Sequence, residues 1–244
     1  MPSVDLYWSP GSCARVPFVA LEEAEAQYEL HVVNRYIGEH QAPEYRALNP
    51  KEKVPTVVID GWVVTENPVI QTILARTFPQ ARLLPTDNDK LMTEALSLMA
   101  WFASGLQPAA GRQRFPNGFS DRDDNDALEA IRRSARAELA KGFAILEDRL
   151  ADRDWLLADW TIVDAYMLWL WFRAVGSGMD PIPFPRCVDH ARRCEQRPSV
   201  ARVLDREESE FERFMAAATV PASIPPYQVG RTPLPTGASS TIEA

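Results

Sequence analysis

Residues 53–68, "KVPTVVIDGWVVTENP", predict a β-hairpin that is followed at once by a helix. The runs "PTVVID" and "WVVTE" are short, apolar and rich in β-branched residues, which is typical of strands. They flank Asp60-Gly61, a dipeptide favoured in two-residue turns, so the two strands are expected to pair antiparallel. Asn67 is a good N-cap and Pro68 suits the first helical position, which predicts that a helix begins here.

The segments around this hairpin alternate between strands and helices, and they predict an α+β domain over residues 1–84. The order is β-α-β-α-β-β-α, with a mixed four-stranded sheet. Strands separated by helices are expected to pair in parallel, and the terminal hairpin antiparallel. The other predicted elements are the strands "SVDLYW" (3–8) and "YELHVVN" (28–34) and the helices "ARVPFVALEEA" (14–24), "APEYRALNP" (42–50) and "NPVIQTILARTF" (67–78).

Beyond a linker at residues 85–90, the pattern predicts an all-helical domain over residues 91–216. Four stretches there have apolar residues at helical spacing, and none has the alternation of a strand. Residues 217–244 are rich in Pro, Ser and Thr with almost no periodicity, which predicts an extended tail. The four helical stretches are "KLMTEALSLMAWFASGL" (90–106), residues 123–151, "TIVDAYMLWLWFRAV" (161–175) and residues 199–218.

Composition excludes several classes of function. The chain has 244 residues and a net charge of -8, so it has no basic surplus with which to bind nucleic acid. Its most apolar run, residues 165–175, is too short to span a bilayer, so no membrane partner is expected. The three cysteines and three histidines form no metal-ligand spacing, so no metal is expected. Few cysteines and no evident targeting signal at residues 1–11 favour a reducing cytoplasm.

Ser12 and Cys13 lie at the junction where the first helix is expected to begin. The first amides of a helix carry partial positive charge, so a thiolate held there, of Cys13 or of a ligand, is stabilised. The alternative is structural: Ser12 is only an N-cap and Cys13 a small buried side chain.

Two short motifs in the hairpin region offer binding groups. Pro55 opens a strand after a loop, where a cis bond would turn the Val54 backbone outward to pair with an extended peptide. Glu66 and the amide end of the helix at Asn67 could together hold the ammonium and carboxylate of a zwitterion. The alternatives are an ordinary trans proline, and a capped helix preceded by a solvated acid.

The motif "TIVD", Thr161 to Asp164, is predicted to be a structural capping box ahead of the apolar helix. Thr161 caps the amide of Asp164, and Asp164 accepts from the amide of Thr161. No catalytic role is expected for either residue.

Taken in this order, these features resemble the glutathione transferase superfamily over residues 4–216, with a thioredoxin-like N-terminal domain. The resemblance implies that glutathione is the co-substrate and that Val54, with cis Pro55, pairs with its cysteinyl backbone. It also implies that Glu66 and Asn67 hold the γ-glutamyl end, although the family usually has Ser or Thr at the second position. In theta-like members, groups matching His40 and Lys53 hold the glycine carboxylate; Arg35 is a weaker extra cation.

The resemblance gives two candidates for the catalytic position. Cys13 aligns with the cysteine of bacterial beta-class members, which share the pattern of Pro-Gly, a small residue and Cys. The catalytic serine of theta and zeta members falls on Gly11, and Ser12 lies one residue later. Cys13 is therefore the first candidate and Ser12 the second.

An electrophile is expected to lie between the domains, in a pocket that suits an apolar, aromatic molecule. The Gly- and Pro-bearing segment 106–124 is predicted to be a long connection that forms one wall of it. The alternative is that the aromatic residues at helical spacing are core. The candidates for this pocket are Trp8, Trp101, Phe102, Arg112, Phe115 and Phe119.

The expected activity is glutathione transfer: the glutathione thiolate attacks a small electrophile. Thiol–disulfide reduction or reductive dehalogenation through Cys13, glutathione-dependent isomerisation, and a binding module without catalysis remain as alternatives. The resemblance also implies a homodimer, in which the N-terminal domain of one subunit packs on the helices of the other.

Overall fold

The computed structural model describes residues 2–216 and 230–232. Apart from residues 230–232, the predicted tail 217–244 lies outside the described residues. The N-terminal domain has the predicted order of elements and is followed by a helical domain. Its elements are β1 (Val4–Trp8), α1 (Arg15–Glu23), β2 (Glu29–Val32), α2 (Pro43–Leu48), β3 (Thr56–Ile59), β4 (Trp62–Thr65) and α3 (Asn67–Thr77).

The four strands form one mixed sheet in the order β2-β1-β3-β4. β1 and β2 are parallel, as predicted for strands joined by a helix. β3 is antiparallel to both of its neighbours, β1 and β4. The parallel rule applies to the βαβ unit β1-α1-β2; the short helix α2 and its loop are not such a crossover, so β3 enters the sheet in the reverse direction.

The second domain consists of helices and their connections, with no strand among its described residues. Its helices are α4 (Asp89–Trp101), α5 (Gln107–Arg114), α6 (Asn125–Arg149), α7 (Ile162–Gly176), α8 (Pro185–Glu195) and α9 (Pro198–Ala216). A π-helical turn, Phe102–Leu106, joins α4 to α5. α7 is buried on nearly every side, and α1 packs against both α7 and α9, so the two domains share one hydrophobic core.

Two segment assignments differ from the prediction, and one helix was missed. α4 begins at Asp89, inside the predicted linker 85–90, because the Asn88 side chain accepts a hydrogen bond from the Leu91 amide and caps the helix. α5 forms within the segment 106–124 that was predicted to be a connection, since Pro108 lies in its first turn, where proline is tolerated. α8 was not predicted at all.

A buried ion pair joins the two domains at the start of α1. The Arg15 guanidinium makes two hydrogen bonds to the Glu207 carboxylate on α9, at 3.1 and 2.6 Å. It also lies 4.2 Å from the centre of the Phe172 ring on α7 and donates to the carbonyl oxygen of Gly230 at 3.2 Å. Both charged side chains are almost completely buried, so each depends on the other for compensation of its charge.

The capping box at Thr161 and Asp164 is confirmed as a structural motif. Asp164 is fully buried and accepts from the amides of Thr161 (2.9 Å) and Leu156 (2.8 Å). Its Oδ1 also lies 2.9 Å from Nε2 of His190 on α8. One carboxylate therefore fixes the start of α7, the segment before it and the helix α8.

The change Asp164→Asn is expected to lower the free energy of unfolding by about 2 kcal/mol, because an amide nitrogen replaces an acceptor oxygen among buried donors. Urea unfolding measures this. Asp189→Asn is the matched control, since Asp189 lies on the surface in an exposed pair with Arg192 and should change stability by less than about 0.5 kcal/mol. A loss for Asp164→Asn no larger than the control would contradict the structural role.

Candidate functional site

The turn between β1 and α1 holds both catalytic candidates. α1 begins at Arg15, so Ser12 and Cys13 lie in the turn before the helix and Ser12 is not its N-cap. Gly11 has a φ of 65°, a backbone conformation that residues with a Cβ rarely adopt. Trp169 on α7 donates from Nε1 to the Gly11 carbonyl at 3.1 Å, so the helical domain holds the turn in place.

The two candidates differ in what their side chains contact. Ser12 Oγ donates to the Ser9 carbonyl at 2.6 Å and accepts from the Ala14 amide at 3.3 Å, so its hydroxyl stabilises the turn. Cys13 Sγ instead lies 3.5 Å from the Val54 carbonyl and 3.6 Å from Nε2 of Gln107. The thiol and the hydroxyl therefore face different surroundings.

The Cys13 thiol is protonated at neutral pH. Burial raises its pKa to about 11; the positive charge of Arg35 and the hydrogen bond from Gln107 oppose this increase but do not cancel it. The expected stabilisation of a Cys13 thiolate at the helix start is therefore wrong for the structure described here. The physical reason is that loss of hydration outweighs the favourable charges.

Cys13 lies in the wall of a cavity of about 390 Å³, called here the Cys13 cavity. Both domains contribute to it. The lining residues are Cys13, Asn49, Lys51, Lys53, Val54, Pro55, Thr65, Glu66, Asn67, Ala103, Gln107 and Tyr166. The structure thus brings together five of the six predicted glutathione-binding residues and the first catalytic candidate.

The hairpin region supplies Glu66, which is the one acidic side chain in the described lining of the Cys13 cavity. The Val54-Pro55 bond is cis, as predicted. Glu66 has φ 72° and ψ 121°, a backbone conformation that is costly for a residue with a Cβ and that is concentrated at functional sites. Its carboxylate contacts the Lys51 ammonium, which also donates to Thr65 Oγ1 at 2.7 Å. The Lys51 ammonium therefore occupies the position that was predicted for the ammonium of a ligand.

Asn67 differs from its predicted role. α3 begins at Asn67 with Glu66 as its N-cap residue, one position earlier than expected. The Asn67 side chain does not cap the helix: its Nδ2 donates to the Cys13 carbonyl at 3.0 Å, and its Oδ1 accepts from Gln71 at 3.3 Å. Asn67 therefore fixes the Cys13 backbone while its own amide lies at the start of α3.

His40 is the predicted glutathione-binding residue that does not line the Cys13 cavity. It lies in a 3-10 turn, Glu39–Gln41. Partial burial lowers its pKa, and the positive charges of Arg35 and Lys53 lower it further. The charge of Lys53 therefore acts on His40, and the lowered pKa favours the neutral form of the His40 imidazole.

Ser12 lines a second cavity of about 190 Å³, called here the Ser12 cavity. Residues after β1, after β2, after α5 and on α7 contribute to it. The lining residues are Ser9, Gly11, Ser12, Arg35, Tyr36, Phe115 and Arg173.

Of the predicted electrophile-binding residues, only Phe115 lines either of these two cavities. Trp8 and Phe102 are fully buried in the core, where they pack edge-on against Phe18 and Tyr166. The other three, Trp101, Arg112 and Phe119, are elsewhere: Trp101 packs beside Phe102, Arg112 pairs with Glu138, and Phe119 is exposed. Helical spacing of aromatic residues here reflects core packing.

Six residues that line the Cys13 cavity were not predicted from the sequence, and three of them contact the Cys13 thiol, the Glu66 carboxylate or the Gln107 side chain. Gln107 donates to Cys13 Sγ and accepts from the Tyr166 hydroxyl at 2.6 Å, which forms a chain from α7 to the thiol. Lys51 is the third. The sequence offers a signal only for Lys51, which lies in "NPKEKVP" two residues before Lys53.

The fold and site together define a two-domain protein of the thioredoxin-like class, with a cysteine after the first strand that faces a cis-proline loop across a cavity. Residues 10–77 match the family model described as the glutathione S-transferase N-terminal domain. The chain belongs to the glutathione transferase superfamily, as the motif order predicted.

The curated relatives have more than one activity in their names. The glutathione S-transferase GstA of Escherichia coli O157:H7 is 26% identical over 207 residues, which are 83% of this chain and 98% of that protein. The disulfide-bond oxidoreductase YfcG of Escherichia coli K12 is 23% identical over 86% of this chain and 98% of that protein. A probable maleylacetoacetate isomerase of Caenorhabditis elegans is 37% identical over 108 residues, 44% of this chain and 49% of that protein.

A solved structure is also similar over most of its length. It is a sphingomonad glutathione S-transferase in complex with glutathione, with a TM-score of 0.72 and 26% identity. The match covers 84% of this chain and 98% of that one.

Proposed function

We propose that this protein is a glutathione transferase that binds glutathione in the Cys13 cavity and directs the glutathione sulfur toward Cys13. One observation carries the proposal: Cys13, Lys53, Val54, Pro55, Glu66 and Asn67 line the same cavity. These residues come from three separate stretches of the sequence, and together they match the sulfur, the cysteinyl backbone, the glycine carboxylate and the γ-glutamyl end of one tripeptide.

The contacts follow from the charges on the cavity wall. The γ-glutamyl ammonium replaces the Lys51 ammonium at Glu66, and the γ-glutamyl carboxylate lies at the first amides of α3. The cysteinyl backbone pairs with Val54. Lys53, with neutral His40 beside it, holds the glycine carboxylate.

Cys13 acts as a hydrogen-bond donor in this mechanism. Its pKa of about 11 leaves about one molecule in ten thousand ionised at pH ~7, so Cys13 itself is a poor nucleophile there. The protonated thiol can donate to the glutathione sulfur instead of to Val54, and Gln107 supplies a second donor at the same point. Both donors favour the glutathione thiolate. That thiolate bonds to an electrophilic carbon while the leaving group departs with its bonding pair.

Thiol–disulfide exchange through Cys13 is the second candidate function. It is favoured by the Cys13 thiol in the wall of the cavity, and the similar disulfide-bond oxidoreductase YfcG supports it. In that reaction the Cys13 thiolate attacks a disulfide sulfur, and the other sulfur leaves as a thiolate that takes a proton. The raised pKa of Cys13 opposes this reaction more than it opposes conjugation. Isomerisation and binding without catalysis remain alternatives.

The test of the binding proposal is calorimetry with glutathione. Glu66→Gln is expected to weaken binding by about tenfold or more, because it removes the charge that pairs with the γ-glutamyl ammonium. Glu44→Gln is the matched control, since Glu44 is exposed on α2 outside the cavity. If the unmodified protein gives no heat with millimolar glutathione, the proposal is rejected and a module without glutathione binding remains.

We also propose a homodimer and a cytoplasmic location. Exposed apolar residues occur in both domains, with Trp62 and Val69 in the N-terminal domain and Ile145 on α6, which is consistent with contact between subunits. The three cysteines are unpaired, as expected in a reducing compartment. Among the described helices, none combines the length and apolar character needed to cross a membrane.

A further inference from the structure

The Ser12 cavity has a positively charged wall. Arg35, on the loop after β2, and Arg173, on α7, both line it, and its described lining includes no Asp or Glu. A third guanidinium lies behind this wall: Arg114 is buried and its central carbon is 5.2 Å from the centre of the Phe115 ring. Two domains therefore direct cationic side chains toward one small space.

The other lining residues of the Ser12 cavity include a hydrogen-bond donor, Tyr36, and an aromatic ring, Phe115, which suit the uncharged part of a small organic anion. Burial raises the pKa of Tyr36, although Arg114, Arg173 and Arg35 all act to lower it, so its hydroxyl keeps its proton. A protonated phenol is a hydrogen-bond donor. The Phe115 ring, which is 36% exposed, provides an apolar face. Guanidinium groups recognise planar carboxylates especially well because their geometry permits paired hydrogen bonds.

The Ser12 cavity lies beside the turn that carries Cys13. Ser12 and Cys13 are consecutive, yet each lines a different cavity, so the β1–α1 turn separates the two spaces. The positive charges of Arg35 and Arg173 both act to lower the pKa of Cys13, although burial raises it more. A carboxylate held by these arginines therefore lies across the β1–α1 turn from the Cys13 cavity, and the reacting end of the molecule extends past this turn to reach the glutathione sulfur.

We propose that the Ser12 cavity binds the carboxylate of an anionic electrophile, with Arg35 and Arg173 as specificity-determining residues. This rests on the proposed glutathione transfer and changes the expected substrate class from an apolar aromatic molecule to an aromatic or unsaturated acid. With a chlorinated nitrobenzoate, the sulfur–carbon bond forms and the carbon–chlorine bond breaks. Chloride leaves with the bonding pair, and the thiol proton passes to solvent.

The test compares two probes of nearly equal size, para-chloro-meta-nitrobenzoate and its neutral primary amide, as electrophiles for the full chain with glutathione. The KM of the unmodified protein is expected to be at least about tenfold lower for the carboxylate. Arg35→Gln and Arg173→Gln should each raise the carboxylate KM about tenfold and change the amide KM less than about twofold. Arg133→Gln, an exposed site on α6, is the matched control and should change neither.

Calorimetry with the carboxylate alone, without glutathione, separates this inference from the proposed function. Binding that both cavity variants weaken supports the inference even if no conjugation occurs, in which case only the proposed transfer fails. Conjugation of both probes with equal KM, or KM values unchanged in both variants, overturns the inference and leaves the transferase proposal intact. Arg35→Gln keeps the test decisive if Arg173→Gln does not fold, because Arg35 is exposed on a loop.

Discussion

The change Cys13→Ala is expected to reduce glutathione conjugation by about 10- to 100-fold, whereas Cys13→Ser should retain activity within about tenfold. The reason is that Cys13 is a protonated donor 3.5 Å from the Val54 carbonyl, with a pKa of about 11. A hydrogen bond to a charged group contributes about 1.5–3 kcal/mol, and alanine removes it. Serine keeps a hydroxyl donor at the same position. Conjugation rates with saturating glutathione measure the difference.

The same pair of variants distinguishes the two candidate chemistries. A hydroxyl cannot form a disulfide, so Cys13→Ser should abolish reduction of a mixed disulfide with glutathione and yet preserve conjugation. Ser134→Ala is the matched control: Ser134 is exposed on α6 and lines neither the Cys13 cavity nor the Ser12 cavity, so conjugation should change little. Equal loss of conjugation in Cys13→Ser and Cys13→Ala would contradict the donor role and favour covalent catalysis by the thiol.

The change Arg15→Met is expected to lower the free energy of unfolding by about 3–5 kcal/mol, because it leaves the Glu207 carboxylate buried without its partner. Neither side chain of this pair has access to water that could replace the lost contacts. Methionine has a similar length, so the loss of the charge is larger than the change in packing volume. Guanidinium chloride unfolding, followed by far-ultraviolet circular dichroism, measures the free energy.

Two further variants make the interpretation specific. The double change Arg15→Met with Glu207→Leu should recover much of the stability, since a buried charge is then no longer unpaired. Arg46→Met is the matched control, because the Arg46–Glu52 pair is on the surface and should contribute less than about 1 kcal/mol. A double variant as unstable as Arg15→Met alone would show that packing of the guanidinium on Phe172, and not charge, is responsible.

Local patterns in the sequence predicted the N-terminal domain well. The turn at Asp60-Gly61, the strands beside it and the helix after Asn67 depend on a few neighbouring residues, and all three are present. The capping box at Thr161 and Asp164 is also local. The six residues of the Cys13 cavity that were predicted came from local motifs and from the resemblance of their order to a family, because the sequence does not give their distances.

Features that depend on tertiary contacts could not be predicted. α8 buries Cys187, His190, Ala191 and Cys194 at helical spacing, but polar or small residues in these positions do not produce an apolar pattern. His190 is tolerated in the core because it contacts Asp164. The separation of Ser12 from Cys13 likewise depends on the turn geometry at Gly11, which is held by Trp169 from the other domain.

The bond from the Trp169 indole to the Gly11 carbonyl has a consequence for any attempt to isolate the N-terminal half. An excised fragment of residues 1–84 would keep the cis-proline loop and Glu66, but it would have neither the indole that anchors the loop bearing Cys13 nor Gln107 beside the sulfur. The surroundings of the Cys13 thiol are therefore formed by residues of both domains. If the N-terminal domain were fused to another protein, it would keep the residues proposed to bind the tripeptide. It would lose the helical-domain residues Trp169 and Gln107, which contact the turn and the sulfur of Cys13.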